Sequence, residues 1–261
     1  TGPISFKESV FKECILHVYK MGSLDDSLMA PSKKDLCFRD LRNRILQLDL
    51  APGADLDETS FSTHYGLSRT PLREVFQKLA GEGYLSIEPN RGAVVAAMDL
   101  YTMRRFFQTA PIIYAAVARL AAEQAIPAQI KALKDAQAHF MSARAASDNA
   151  ALALWNHRFH EIIGEMATNP YLLPSLRRLL IDHTRMSHIF YRAKTAEDSI
   201  RVLKAAQQHD EMIEAFATHN AELAVELTLD HWALSRGEIE KYVWPDPLPE
   251  TYMQPFSGDS Q

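Results

Sequence analysis

From residue 99 to about residue 241, apolar residues recur at the three- and four-residue spacing of helices packed on one face. Five short interruptions, at 126–127, 147–149, 168–170, 194–195 and 218–220, contain residues that end or begin helices. They divide this stretch into about six helices, which predicts an antiparallel helical bundle. Pro111 lies inside the first of these helices and is expected to kink it or divide it.

Residues 36–98 have shorter elements. Apolar residues at helical spacing predict one helix over 41–48, and a second short helix over 56–67 is closed by Gly66. Ser68 is a good N-cap for a third helix, whose first turn tolerates Pro71 because a missing N–H costs nothing there. Two helices joined by a glycine-containing turn predict a helix-turn-helix.

β-prone residues follow this unit on both sides of a Pro-Asn-Arg-Gly turn at 89–92, which predicts a hairpin. The expected fold is therefore mainly α: a helix-turn-helix domain with a small β-hairpin wing over 36–98, then the helical bundle over 99–243. An N-terminal extension, 1–35, has no assigned role, although 4–19 could form a helix. The segment 244–261 contains four prolines and is expected to be an irregular tail.

The chain has 261 residues, enough for two moderate domains, and a formal net charge of −5. This charge argues against non-specific coating of nucleic acid, but a local cationic cluster can still bind DNA. Arg69 and Arg73 are four residues apart and so share one face at the start of the third helix. The acidic residues nearby are expected to lie off that face; they are Asp55, Asp57, Glu58 and Glu82.

Cys14 and Cys37 are the only cysteines, which indicates a reducing compartment and no disulfide framework. The sequence has neither an apolar run long enough to span a bilayer nor a secretory signal. We therefore expect a cytoplasmic protein without a membrane partner.

The segment 68–74, Ser-Arg-Thr-Pro-Leu-Arg-Glu, resembles the winged helix-turn-helix of the GntR family of bacterial transcription regulators. The resemblance covers about 38–98 and includes the turn at 50–53, the end of the third helix at 79–85 and the wing at 90–95. It implies that Arg69 and Arg73 contact DNA, that Ser68 and Thr70 reach phosphates, and that Arg91 and Gly92 approach the minor groove or the backbone. It also implies a homodimer on a palindromic operator in double-stranded DNA.

The helical half resembles the FCD-type ligand-binding domain of the FadR branch of this family. That branch often carries an acidic or amide residue, a histidine four residues later, and two further histidines on later helices. The corresponding residues here are Asn156, His160, His209 and His231. Three imidazoles and one oxygen suit a divalent ion such as Zn or Ni, with Asn156 the weakest of the four ligands. The alternative to a metal site is that these histidines lie in the core and bond to backbone carbonyls. Four other histidines are assigned to solvated faces, pocket walls or helix ends: His157, His183, His188 and His219.

The same branch usually offers an arginine and, four residues later, a glutamate on the first helix of this domain. Ala110 and Tyr114 occupy those places here, so the guanidinium that would clasp a carboxylate is missing. The metal, or an arginine elsewhere such as Arg177, would have to replace it. The expected effector is a small organic acid, in a pocket assigned to Arg105, Tyr114 and Arg185.

The expected function is a ligand-responsive regulator, acting as a repressor. Two alternatives remain open. One is a metalloenzyme with an appended DNA-binding module, although no general base is placed by the sequence. The other is a metal sensor in which the ion itself is the signal.

Overall fold

The computed structural model describes residues 31–191 and 195–243, and within these ranges the chain forms nine helices and three short strands. In chain order they are α1 (Lys33–Leu46), β1 (Asp55–Leu56), α2 (Glu58–Tyr65), α3 (Arg69–Glu82), β2 (Leu85–Glu88), β3 (Gly92–Val95), α4 (Leu100–Gln124), α5 (Pro127–Ala145), α6 (Asn149–Met166), α7 (Leu172–Phe190), α8 (Ala196–Ala217) and α9 (Ala221–Val243). No helix in the described part of the chain is long and apolar enough to cross a bilayer. The extension at 1–35, apart from 31–35, and the tail at 244–261 lie outside the described residues.

Helices α1, α2 and α3 form the predicted helix-turn-helix. The carboxylate of Asp57 caps α2 by accepting the backbone N–H of Ser60 at 2.8 Å. Gly66 ends α2 with a φ of +59°, a left-handed conformation that glycine adopts without steric cost. Ser68 occupies the N-cap position of α3, but its hydroxyl makes no capping hydrogen bond, so the expected capping interaction is absent there.

Three boundaries in this domain differ from the prediction. Helix α1 starts at Lys33, eight residues before the predicted start at 41, because Ser32 and Asp35 form a reciprocal capping box. Leu48, expected within the helix, lies beyond its end with a φ of +65°. Leu56, expected at the start of α2, belongs to β1 instead.

The predicted hairpin is confirmed, and a third strand joins it. The sheet has the order β1-β3-β2 with antiparallel pairing, and Leu56 lies opposite Ala93 while Leu85 lies opposite Val95. Asn90 turns the chain between β2 and β3 with a φ of +65°, which asparagine tolerates better than most residues. The wing is therefore tied to the body of the domain by a strand that precedes α2.

Helices α4 to α9 form the predicted bundle of six helices, and all five predicted interruptions separate its helices. The side chains of Asp99, Asp148 and Thr195 cap α4, α6 and α8. Pro111 lies within α4 without dividing it, since the helix runs unbroken from Leu100 to Gln124. The domain boundary expected at 98/99 falls in the link between β3 and α4.

Helix α7 belongs to the bundle and also contacts the helix-turn-helix domain. Ile181 is only 1% exposed and lies in the core of that domain with residues of α1 and α3. Arg185 is completely buried: its guanidinium pairs with Asp182 and donates to the Ala96 carbonyl at 2.7 Å. At the end of the helix, the Nε2 of His188 donates to the Leu46 carbonyl at 2.9 Å. A buried arginine keeps its charge only with such partners, so these contacts fix how the two domains meet.

Candidate nucleic-acid interface and metal centre

Four of the six residues predicted to contact DNA lie together at the start of α3. Ser68, Arg69, Thr70 and Arg73 are all exposed, while Leu72 points into the core of the domain. The backbone N–H groups of a first helical turn also point outward here, and their partial positive charge favours phosphate. This end of α3 therefore presents two guanidinium groups and two hydroxyls on one surface.

Arg73 is held by an acidic residue of the preceding helix. Its Nε lies 2.9 Å and 3.0 Å from the two carboxylate oxygens of Glu58, the first residue of α2. The Glu58 carboxylate raises the pKa of the Arg73 guanidinium. The expectation that Glu58 lies off the contact face is therefore wrong: it touches the arginine that would read a base.

Arg91 at the wing has the same kind of restraint. Its Nη2 lies 2.8 Å from Asp55 on β1, and its Nη1 lies 2.7 Å from Glu88 on β2. Asp55 was also expected off the contact face, and this pairing corrects that expectation. The neighbouring Gly92 has a φ of +82° and open space where a Cβ would stand, so backbone can approach a ligand closely there.

Three of the four predicted metal ligands converge in the bundle. His160 on α6, His209 on α8 and His231 on α9 each bring one ring nitrogen to within 4.8 Å of the others. The three residues are 2%, 0% and 3% exposed, so the cluster is shielded from solvent. Aromatic rings surround it: Phe159 stacks on His209 at 4.1 Å between ring centroids, and Phe140 meets His209 edge-on.

Burial keeps these imidazoles neutral. The pKa values of His160 and His209 lie well below the ordinary value, and burial lowers the pKa of His231 to about 3. The neighbouring histidines act in the same direction, because one positive ring disfavours another. Neutral imidazole is the form that binds a metal.

Buried polar atoms without a hydrogen-bond partner support a metal site at the histidine cluster. The Nε2 of His160, the Nε2 of His209 and the Oδ1 of Asn156 are buried and make no hydrogen bond. Buried polar atoms nearly always have a partner, and three exceptions within one predicted ligand set call for an explanation. Asn156 lies one helical turn before His160, on the same face of α6. The donor set of three imidazoles and one amide oxygen thus fits a borderline divalent cation.

Of the three residues predicted to line an effector pocket, Tyr114 on α4 lies near this cluster. Its ring lies 5.8 Å from that of His160, and its hydroxyl lies 2.8 Å from the Nδ1 of His183 on α7. His183, assigned from the sequence to a solvated face, a pocket wall or a helix end, has its ring 5.5 Å from that of His160. The signal was present: His183 continues the buried stripe of Leu176 and Leu180 along α7.

The two arginines expected in the effector pocket lie elsewhere. Arg105 is exposed on α4, where it contacts Gln108 and Tyr101. It precedes Tyr114 by two and a half helical turns, roughly 13 Å along the axis. Arg185 belongs to the domain interface described above. The structure thus corrects both placements.

The other histidines assigned to solvated faces, pocket walls or helix ends make contacts within the fold. His157 is buried with its Nδ1 at 2.8 Å from the Thr184 hydroxyl, and burial lowers its pKa to about 4. His188 lies in the last turn of α7, at a helix end as expected, and contacts the Leu46 carbonyl across the domain interface. His219 lies at a helix end as expected, with its Nδ1 at 2.9 Å from the Ala122 carbonyl.

Two protein families match the chain. Residues 37–95 match the family described as bacterial regulatory proteins, gntR family, and residues 107–234 match the FCD domain. The first range contains α2, α3 and the sheet, and the second contains the histidine cluster. Both matches agree with the two resemblances drawn from the sequence.

Curated relatives carry names of regulators. The transcriptional repressor RspR of Escherichia coli K12 is 37% identical over 92 residues, which are 35% of this chain and 40% of the relative. The uncharacterized regulator YdfH of Escherichia coli O6:H1 is 35% identical over 99 residues, 38% of this chain and 43% of the relative. The chain therefore spans about two fifths of the length of these relatives.

Solved structures extend the likeness of the fold to most of the chain. The Escherichia coli protein McbR/YncC superimposes with a TM-score of 0.68 over 82% of this chain and 99% of that protein, at 18% identity. These families and relatives are regulators rather than enzymes, which removes support from the metalloenzyme alternative. The chain therefore carries a helix-turn-helix domain of the gntR family of bacterial regulatory proteins, followed by an FCD domain.

Proposed function

We propose that this protein is a cytoplasmic, ligand-responsive repressor that binds a palindromic operator as a homodimer and senses a small organic acid at a metal centre in its helical domain. One observation carries this proposal. An exposed pair of arginines at the start of α3 and a buried histidine cluster in the bundle are linked by a single helix, α7. The name of the relative RspR, a transcriptional repressor, supports repression.

In the DNA-bound state, α3 would enter the major groove with its first turn leading. A guanidinium can bond the O6 and N7 of guanine together, and such a pair discriminates bases by about 1–3 kcal/mol. Arg69 and Arg73 supply this group, and Ser68 and Thr70 supply phosphate contacts. In a homodimer, two such helices about 34 Å apart would read half-sites one turn of DNA apart.

In the helical domain, Asn156, His160, His209 and His231 would hold a divalent ion, with Zn or Ni best suited to this donor set. The bound ion would supply a Lewis acid that attracts a carboxylate. The chain's own contribution is to keep the imidazoles neutral and to exclude water with Phe140, Phe159 and Tyr114. The effector must bind the DNA-competent and DNA-incompetent arrangements with different affinities, otherwise it shifts nothing.

Fluorescence anisotropy with DNA from the promoter region of the protein's own gene tests the proposal. We expect salt-dependent binding, loss of base discrimination in Arg73→Ala, and release by an organic acid only when metal is present. Lys131→Ala is the matched control, because Lys131 lies on the bundle and pairs with Asp135. If the wild type prefers no sequence at any salt concentration, or if Arg73→Ala keeps the sequence preference, the DNA-reading role is refuted.

One observation favours a second candidate, a metal sensor. Arg105 and Arg185 lie away from the histidine cluster, and Arg177, the third candidate to clasp a carboxylate, pairs with Glu161 and Glu165. The side chains identified beside the cluster are neutral: Tyr114, Asn156 and His183. The ion could therefore be the signal by itself. Titration of DNA binding with Zn²⁺ or Ni²⁺ alone, and then with added acids, separates the two: a metal sensor responds fully before any acid is added.

A further inference from the structure

Two glutamines adjoin the histidine cluster on the side away from the unpartnered nitrogens. Gln137 on α5 places its Oε1 3.0 Å from the Nδ1 of His209. Gln208 on α8 places its Oε1 3.1 Å from the Nδ1 of His231. Both glutamines are buried, with 5% and 7% exposure, although glutamine is mostly a surface residue. No motif in the sequence had singled them out.

The orientation of the Gln137 amide is set by the backbone. Its Nε2 donates to the Ala206 carbonyl at 2.8 Å. A carbonyl only accepts hydrogen bonds, so the NH₂ group must face Ala206 and the Oε1 must face His209. An amide oxygen also only accepts, and the hydrogen between Gln137 and His209 must therefore lie on the Nδ1 of His209.

This hydrogen determines what the other ring nitrogen can do. A neutral imidazole carries one hydrogen, so a ring protonated at Nδ1 has a lone pair and no hydrogen at Nε2. The Nε2 of His209 is buried and makes no hydrogen bond. Gln208 turns its Oε1 to the Nδ1 of His231, and in this orientation of the amide the hydrogen again lies on that Nδ1. Each glutamine thus leaves a lone pair on the nitrogen opposite its own contact.

We propose that Gln137 and Gln208 are positioning residues that hold His209 and His231 in the Nδ1–H tautomer and so prepare both Nε2 atoms to bind a divalent cation. This inference rests on the metal centre proposed above. Partners of this kind fix ring orientation and tautomer, and losing one typically lowers metal affinity by about 10- to 100-fold. The two glutamines reach the cluster from different helices, so their effects are expected to be separable.

The test replaces each amide by a side chain of similar length that neither accepts nor donates strongly: Gln137→Met and Gln208→Met. Gln207→Met is the matched control, since Gln207 is exposed on α8 and its amide contacts Glu211. Zn²⁺ affinity is measured by competition with a chromophoric chelator. We expect a loss of about 10- to 100-fold in each cluster variant and none in Gln207→Met. Circular dichroism and melting without metal establish that each variant is folded.

A second measurement needs no metal. Two-bond ¹H–¹⁵N correlation spectra of the apo wild type report the histidine tautomers, and we expect the Nδ1–H form for His209 and His231. In Gln137→Met, the His209 signals should shift toward a mixture of tautomers while those of His231 stay unchanged. An Nε2–H tautomer for His209 in the wild type would overturn the inference, and so would wild-type Zn²⁺ affinity in folded Gln137→Met.

The outcomes distinguish this inference from the proposed metal centre. If the wild type binds neither Zn²⁺ nor Ni²⁺, the metal centre itself is refuted, whatever the tautomers are. If the wild type binds Zn²⁺ and both folded methionine variants bind it equally well, only the positioning role of the glutamines is refuted.

Discussion

Replacing Gly83 by alanine should lower the stability of the protein through both the backbone conformation and the packing at the end of α3. Gly83 ends α3 with a φ of +90°, and an added Cβ would lie 2.4 Å from the Cδ and 2.7 Å from the Nε of Arg178 on α7. Left-handed backbone costs a residue with a Cβ about 1–2 kcal/mol. Arg178 would have to move as well and would lose its 2.9 Å contact with Asp182.

The ion-pair contribution is small because the Arg178 side chain is 42% exposed. An exposed pair contributes at most about 1 kcal/mol, so the two effects together should lower the free energy of unfolding by about 2 kcal/mol. Gly81→Ala is the control: Gly81 lies within α3, and an added Cβ there meets nothing within 4 Å. Alanine should stabilise that helical position by roughly 0.5–1 kcal/mol.

Urea unfolding followed by far-ultraviolet circular dichroism measures both changes, and they should have opposite signs. Equal stability of Gly83→Ala and the wild type would refute the argument, since neither the backbone penalty nor the contact with Arg178 would then be real. Loss of stability in both variants would instead show that the C-terminal end of α3 tolerates no side chain at all.

Three further predictions concern the two sites and the DNA-binding core. Glu58→Ala should weaken base discrimination and raise the affinity for random DNA, because Arg73 loses its restraint and a negative charge leaves the interface. Glu74→Ala is the control, since it removes an equal charge from α3 without removing a partner of Arg73. If the ratio of specific to random affinity were unchanged in Glu58→Ala, Glu58 would not restrain Arg73. His209→Ala should abolish metal binding and the stabilisation that the metal gives, about 2.7 kcal/mol when the free metal concentration is a hundred times Kd. His219→Ala is the control and should keep the metal. Full metal occupancy in His209→Ala, measured by elemental analysis, would rule out this ligand set. In a Cys14→Ser background, Cys37 should not react with a thiol reagent at pH 8 until the protein unfolds, because burial raises the pKa of its thiol to about 12. Rapid reaction of the folded protein would show that the core of the DNA-binding domain opens.

The sequence predicted those features that depend on local chemistry. Asp99 marks the start of α4 because its side chain can cap the helix, and Gly66 marks the end of α2 because it has no side chain. Both lie where the sequence places these helix boundaries. The start of α1 was missed although its signal was present: Ser32 and Asp35 have the spacing of a capping box. The third strand was missed because two residues are too few to show a period.

The site residues were less predictable wherever tertiary packing determines which side chains come together. The histidines of the cluster were assigned through the family resemblance, since periodicity alone could not choose three from ten. Arg185 was assigned to a pocket because its charge suits a carboxylate, but the packing of α7 buries it at the domain interface. Gln137 and Gln208 gave no signal, because their role depends on contacts between residues 72 and 23 positions apart.

The position of Ile181 has a consequence for how this protein can be divided. The hydrophobic core of the DNA-binding domain contains this one side chain from a helix that begins about 75 residues after the wing, and Leu154 of α6 packs against the same core. A fragment ending at residue 98 would leave that core open to water where Ile181 now lies. Excising the DNA-binding domain therefore removes part of its own interior, and a shift of α7 of even a fraction of a helical turn must be absorbed inside the domain that carries α3.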